Sequence, residues 1–424
     1  MSTTLAKGLS PVRTVLDNGL VILVQETSAT PAVAINATFC AGSVYEPEET
    51  PGLALLTGRV LDRGTTRRSG DVIAEELDER GVALRVTVAR HTMSLSCTCL
   101  SEDFGEVLAI VTDVSRCPTF PEVEVNKQRA EIMTALRQDQ DNTSVRATES
   151  VFELLYGKDH PYGRPAKGTI ESVESLNRAA LARFHAILVQ PGALTLTVVG
   201  DVRSGSVLDR AAAELSDWAG TAPPAVIVPA PPVPAGRRER VIPMPGKAQT
   251  DIAYGFTATS RLDPRYYAYW MMNNILGQFG LGGRLAENIR ERQGMAYYAF
   301  SVFDSSVGEG PLLIRAGVDP QNVGRALDAI DKEVGQLGSE GPTPAEVEET
   351  RDGLVGSIPR MFETNHAIAA FLQTSEHFGL GLDYDQRLPG LLQAVTYDEV
   401  CAAAADVLRP DRAAVAVAGP LEAA

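Results

Sequence analysis

Histidines are the first residues to ask for chemistry, because two of them at i and i+4 on one helix can hold a metal and a single one can move a proton. This chain has five: His91, His160, His185, His366 and His377. No two stand at i and i+4, and none begins the zinc-binding run H-x-x-E-H. His160, beside Pro161-Tyr162-Gly163, reads as a loop residue, and His185 as a half-buried helix residue. The five cysteines offer no better set of ligands. Cys40, Cys117 and Cys401 lie far apart, and Cys97-Thr98-Cys99 has strand spacing, not the paired CxxC of a zinc site. All are expected to be reduced and wholly or partly buried in a cytosolic chain.

The run GLALLTGRVLDRGT, Gly52 to Thr65, has the frame of a helix with a reactive face but offers none. Its interior is Leu55, Leu56, Thr57, Gly58 and Arg59, without histidine or carboxylate. Arg59 cannot bind a metal, because its guanidinium stays protonated. A second region, GQFGLGGRLAENIRERQGMAYYAFSVF, holds an arginine and a tyrosine with better prospects. A helix is expected from about Gly283 to Arg292, stopped by Gly294, with a strand after it from Met295 to Phe303. Alternation places Met295, Tyr297, Ala299 and Ser301 on one face, and Ala296, Tyr298, Phe300 and Val302 on the other, read as the core face. Tyr297 is then the tyrosine of the more open face, and Arg290 stands seven positions before it in the last helical turn. Taken alone, Arg290 can be explained by the helix dipole, with Arg292 beside it, and Tyr297 as a half-buried strand aromatic. The glycines ahead of the helix, Gly277, Gly280, Gly282 and Gly283, lead into no Gly-Lys-Ser/Thr and so form no phosphate loop.

These segments belong to a chain of 424 residues, too long for one ordinary core. Hydrophobic residues at 44% and charged residues at 22% describe a globular protein. The net charge of −16 argues against nucleic acid or an anionic membrane surface as partner. The N-terminus lacks the apolar run of a secretory signal, and apolar stretches such as ALTLTVVG are too short to cross a bilayer, so a cytoplasmic location is expected.

A proline-rich seam, TAPPAVIVPAPPVPAG, forbids a helix interior and divides the chain. The expected layout is an N-terminal domain over 1–220, a linker over 221–236 and a C-terminal domain over 237–424. The halves look alike. Proline precedes glycine by nine positions in both Pro191–Gly200 and Pro410–Gly419, at an offset of 219 residues. The same offset lays Ala32–Ala37 over Asp251–Phe256. In the first half, Val12 to Gln25 and Ala32 to Phe39 read as strands around turns, Asp71 to Arg80 as a helix stopped by Gly81, Val82 to Leu100 as two β-rich runs and Glu122 to Gln140 as a helix. This order of elements implies an α+β fold class: two homologous domains, each a mainly antiparallel sheet with helices packed on one face.

The frame PGLALLTGRVLDRGT resembles the signature segment of the pitrilysin/insulinase-type zinc metallopeptidases. LDNGLVILVQE is similar to that family's opening hairpin, HPYGRPAKGTIESVESL to its mid-domain segment, and ALTLTVVGDV to the strand closing each half. The resemblance covers nearly the whole chain and implies a duplicated, clam-like peptidase fold. In active members H-x-x-E-H comes after the Gly-Leu-Ala, two histidines binding zinc and the glutamate acting as general base. Here those positions fall on Leu55, Gly58 and Arg59, and the third ligand, a glutamate on a later helix, falls on or beside Ala135. All four are empty of chemistry.

The resemblance also gives Arg290 and Tyr297 a meaning. An arginine and a tyrosine with six residues between them mark the C-terminal half of this family, and IRERQGMAYYAF matches that spacing. The implied roles are a guanidinium fork on substrate carbonyls and a phenol donating to the oxyanion of the reaction. Gly277, Gly280, Gly282 and Gly283 would form a substrate-touching loop, by analogy with the glycine-rich loop in the non-catalytic subunit of the mitochondrial processing peptidase. Some family members divide the work between two chains, and this one resembles the zinc-free kind, including bacterial heterodimeric homologues. The resemblance thus implies a subunit with no cofactor of its own, not catalytic alone, paired with a homologous H-x-x-E-H chain that carries zinc, and acting on peptides. A peptide-binding or structural pseudoenzyme, as among respiratory-complex core proteins, is the alternative.

Overall fold

The structure, a computed structural model, describes residues 8–278 and 282–421. It forms two compact units. The first takes in the chain up to Leu136, then Pro165–Ile227 and Ile358–Leu388. The second takes in Arg137–Arg164, Val228–Ser357 and the chain from Pro389 onward. The units therefore do not coincide with the two sequence halves: each receives a helical segment from the other half. From Thr221 to Gly236 the backbone runs without helix or strand, as so many prolines require.

Each unit is built on one sheet. The strands of the first are β1 (Val12–Val15), β2 (Val21–Glu26), β3 (Ala32–Phe39), β4 (Arg85–Val88), β5 (Met93–Leu100) and β6 (Leu194–Gly200), in the order β1-β2-β6-β3-β5-β4. Those of the second are β7 (Arg238–Pro243), β8 (Thr250–Thr257), β9 (Ala296–Phe303), β10 (Pro311–Val318) and β11 (Ala414–Gly419), in the order β7-β11-β8-β10-β9. Without the extra strand β1 the two orders are the same. In each sheet one pair is parallel, β2 with β6 and β7 with β11, and the rest are antiparallel. The fold is α+β and duplicated, as expected.

The registers correct one detail of that duplication. Val199 of β6 pairs with Ala34, and Ala418 of β11, 219 residues later, pairs with Asp251. Asp251 lies only 217 residues after Ala34, so β3 maps onto β8 two positions away from the alignment of Ala32 with Asp251. A slip of two keeps every side chain on its face, which is why the apolar alternation matched despite the error.

Local signals place the elements. Ser69 caps the helix Gly70–Asp78 by accepting from the Val72 amide at 3.3 Å, and Gly81, at φ +63°, ends the turn beyond it. Asn142 accepts from the amides of Ser144 and Val145 to start the helix Thr143–Tyr156.

The central strands are buried on both faces. In the first unit Ile22, Val24, Val33, Ile35 and Val198 join the main core with the helices of that unit. Leu23, Ala34 and Val199, pointing the other way, pack on Ile368, Ala369 and Leu372 of the helix Asn365–His377, which comes from the second half. Polar links lock that helix: Gln373 accepts from Thr197 Oγ1 at 2.6 Å, and Asn365 donates to the Ala32 carbonyl at 2.8 Å. The second unit repeats the arrangement with the helix Thr143–Tyr156. A Cβ on Gly255 of β8 would lie 2.7 Å from Val151 and 3.1 Å from Leu155, so the glycine is what lets this helix lie close to the sheet.

Candidate functional site

The segment matching the zinc frame forms the helix Leu53–Val60 in the first unit. Gly52 precedes it at φ +94°, a backbone state that favours glycine. The buried Glu46 supplies the missing cap: its carboxylate accepts from the amides of Gly52 at 3.1 Å and Ala54 at 2.7 Å. The frame of the helix is thus intact. Leu55 is half-buried, Gly58 buried and Arg59 exposed, while Ala135 is exposed on the helix Glu122–Gln140.

None of these four side chains can hold zinc, and the packing closes the space where the base would stand. A Cβ on Gly58 would meet Val88 Cγ2 of β4 at 2.6 Å, with Val86 and Met93 just beyond. Among the described residues no group of three or more His, Cys, Asp or Glu is placed to hold a metal ion. His160 is buried, with its ring stacked on Tyr156 and Nε2 2.9 Å from the Pro229 carbonyl. His185 is half-buried on the helix Arg178–Leu188, 2.7 Å from the Ser115 carbonyl, and burial pushes its pKa down. Both are structural.

Arg290 and Tyr297 lie together in the second unit, on either side of one turn. The helix before that turn is wider than expected, because Ala286–Arg292 is a π-helix, a rare form that is frequent at functional sites. Gly294, at φ +61°, donates to the Arg290 carbonyl at 3.1 Å, and Met295 donates to Ile289 at 3.0 Å. These bonds close the turn into β9.

The helix itself is held firmly. Leu285 and Ile289 are fully buried. Arg284 binds Glu346 through two bonds at 2.7 and 2.8 Å, and Asn288 donates to Glu333 at 2.6 Å. Burial works against the Glu346 charge, but the Arg284 fork and the Thr343 amide outweigh it and hold the carboxyl at about 2. Arg292 is engaged by Glu287 of the same helix. Among the described residues Arg290 has a loose 3.5 Å contact with the exposed Glu291 and no other ion pair or hydrogen bond, which leaves its fork available.

Tyr297 is 83% exposed, and no hydrogen bond or ring contact among the described residues engages it. The reason differs from the expected alternation. Between β9 and β10, Tyr298 pairs with Gly317 and Ala296 with Val318, so Tyr297 is the extra residue of a β-bulge. Beyond the bulge the expected faces are reversed. Ala299 and Ser301 are buried, and Ser301 donates to the Asn273 carbonyl at 3.2 Å, while Tyr298 and Phe300 are half-buried and Val302 is exposed. The bulge turns Tyr297 outward, whereas unbroken alternation with the buried Ala299 and Ser301 would have buried it.

The glycines before the helix are partly accounted for by packing. Gly277 is buried, and a Cβ there would meet Leu285 at 2.9 Å. Gly283, at φ +91°, lies against Gly277, whose Cα would be 2.8 Å from an added Cβ. Gly282 is exposed, and Gly280 lies outside the described residues.

A polar cluster that sequence reasoning missed lies beside the bulge. Asp251 of β8 is 2% exposed. It accepts from the hydroxyls of Tyr298 and Thr143, and from Gln249 Nε2 at 3.2 Å to both oxygens. Burial, and then the bond to Asp251, push the Tyr298 phenol up to about 12, which keeps it a donor. The one sequence signal was a carboxylate in an otherwise apolar strand.

Comparison with known proteins fits this geometry. The model described as "Insulinase (Peptidase family M16)" matches residues 21–168, and that described as "Peptidase M16 inactive domain" matches residues 175–354. The second range contains Arg290, Tyr297 and Asp251. An uncharacterized zinc protease of Streptomyces coelicolor is 28% identical over 421 residues, covering 97% of this chain and 90% of the relative. One from Mycobacterium leprae is 26% identical over 427 residues, covering 98% and 93%. The crystal structure of a peptidase M16 inactive domain from Pseudomonas fluorescens superimposes with a TM-score of 0.91 at 25% identity, over 98% of this chain and 99% of that one. A protease from Helicobacter pylori shares the fold at a TM-score of 0.88 and 16% identity, over 97% and 100%. With the duplicated sheets, the preserved frame of the first helix and its vacated ligand positions all in view, the chain belongs to the insulinase family of peptidases, M16, as a member without the family's zinc-binding motif.

Proposed function

We propose that this chain is the zinc-free subunit of a heterodimeric zinc metallopeptidase. A homologous H-x-x-E-H chain supplies the zinc and the general base, and this chain supplies Arg290, Tyr297 and half of the peptide chamber. The observation that carries the reading is a contrast within one molecule. The helix Leu53–Val60 carries none of the zinc ligands, while Arg290 and Tyr297 stand on a well-anchored helix-turn-strand unit with polar ends that no described residue binds closely. Such rigidity is what a binding group needs, since a fixed donor loses little freedom when substrate arrives. The Arg290 fork suits carbonyl oxygens of an extended peptide, and the Tyr297 phenol suits the oxygen on which negative charge grows. Of the glycines ahead of this helix, the exposed Gly282 is the one placed to touch the peptide, while Gly277 and Gly283 serve the packing of the segment.

The test is hydrolysis of a quenched fluorogenic peptide by this chain, by a homologous H-x-x-E-H chain, and by the two mixed, with zinc counted in each. Turnover that rises sharply only on mixing, with zinc in the second chain, supports divided labour. Turnover that is the same with and without this chain sinks the reading.

A further inference from the structure

The cluster around Asp251 has a geometry that points to Tyr297. Tyr298, Gly317 and Asp251 stand side by side on three neighbouring strands, since Gly317 pairs with Tyr298 on one side and Asp251 on the other. For the Tyr298 hydroxyl to reach Asp251, its ring must cross the middle strand. Gly317 allows this: a Cβ there would lie 2.6 Å from Tyr298 Cε1 and 2.6 Å from Gln249 Nε2. The receiving carboxylate is itself fixed, by Thr143 at 2.5 Å and by Gln249. The first residue after the bulge is therefore tied to a buried anchor two strands away.

A bulge on an edge strand is otherwise the least constrained kind of strand structure, because its extra residue makes no ladder bond and one side of the strand is unpaired. β9 is such an edge. We infer that Asp251 is a positioning residue which, through Tyr298 laid across Gly317, holds the bulge in register and so aims Tyr297. Asp251 does not touch substrate; it acts through Tyr298. The inference rests on the peptidase reading of Tyr297 for its consequence in turnover, but not for its consequence in structure.

Two measurements on the full chain test it. The first is amide hydrogen exchange over residues 295–299 in Asp251→Asn and in Tyr298→Phe, the milder change that removes only the hydroxyl. Both are expected to exchange about tenfold faster there, with the rest of the second sheet unchanged. Gly317→Ala, which pushes the ring off its path, should do the same. The second is peptide hydrolysis in the mixture with the H-x-x-E-H chain. Tyr298→Phe should lower kcat about tenfold with KM held, and Tyr298→Phe in a Tyr297→Phe background should cost nothing more.

Unchanged exchange at 295–299 in Tyr298→Phe overturns the inference, as do effects of the two tyrosine changes that multiply. If Tyr297→Phe alone leaves turnover intact, the peptidase reading fails instead, and exchange at 295–299 decides the positioning claim by itself.

Discussion

Gly58 and Val88 occupy one space. The Cγ2 of Val88, on β4, is 2.6 Å from where a Cβ on Gly58 would stand, so the position that the resemblance assigns to the general base is crowded here by a neighbouring strand. Gly58→Ala should destabilise by roughly 1–3 kcal/mol through overpacking. Adding Val88→Ala should return most of the loss, a coupling that urea melts of the two single and the double variant would reveal. The same contact bears on repair. Leu55→His, Gly58→Glu, Arg59→His and Ala135→Glu together should still bind zinc poorly until Val88 is truncated, as counted by metal analysis after dialysis.

Arg290→Ala and Tyr297→Phe should leave stability within about 0.5 kcal/mol, because neither polar end is bonded into the fold. In the mixed complex each should reduce turnover at least about tenfold, comparable to the loss of one oxyanion donor. Thermal melts and initial rates on the same preparations separate the two effects. A large loss of Tm in either variant would contradict the freedom of these two side chains.

The Arg284–Glu346 pair makes the π-helix sensitive to acid. Because the folded carboxyl titrates at about 2, below its ordinary value of 4.5, the stability it contributes is complete above pH 4.5 and is lost as pH falls toward 2. Since the pair is partly solvated, the contribution is on the order of 1–2 kcal/mol. Arg284→Ala should cost about that much at pH 7 and flatten the acid limb between pH 4.5 and 2 in denaturant titrations.

Exchange of helices between the halves predicts that residues 1–227 will not fold alone. Without the helix Asn365–His377 the apolar face formed by Leu23, Ala34 and Val199 is uncovered. The fragment should bind a hydrophobic dye and lack a cooperative melt. In the whole chain, Gln373→Ala should cost about 1–3 kcal/mol by leaving the buried Thr197 hydroxyl unpaired.

Much of this protein is legible in its amino-acid sequence. The strands, the stops at Gly81 and Gly294 and the duplication come from periodicity and turn chemistry, which act over a few residues. The emptied zinc motif is a matter of residue types alone: no fold can make ligands of Leu55, Gly58, Arg59 and Ala135. The spacing of Arg290 and Tyr297 is equally visible.

The tertiary structure alone decided where alternation breaks and what lies across the sheet. Nothing local marks Tyr297 as the bulged residue, because a bulge is a relation between two strands and depends on which residue of β10 each residue of β9 meets. Asp251 and Tyr298 are 47 positions apart and join only because Gly317 between them lacks a side chain. The two-residue slip between β3 and β8 hid for a like reason: strand periodicity repeats every second residue, so it records the face a side chain takes and not the partner it finds.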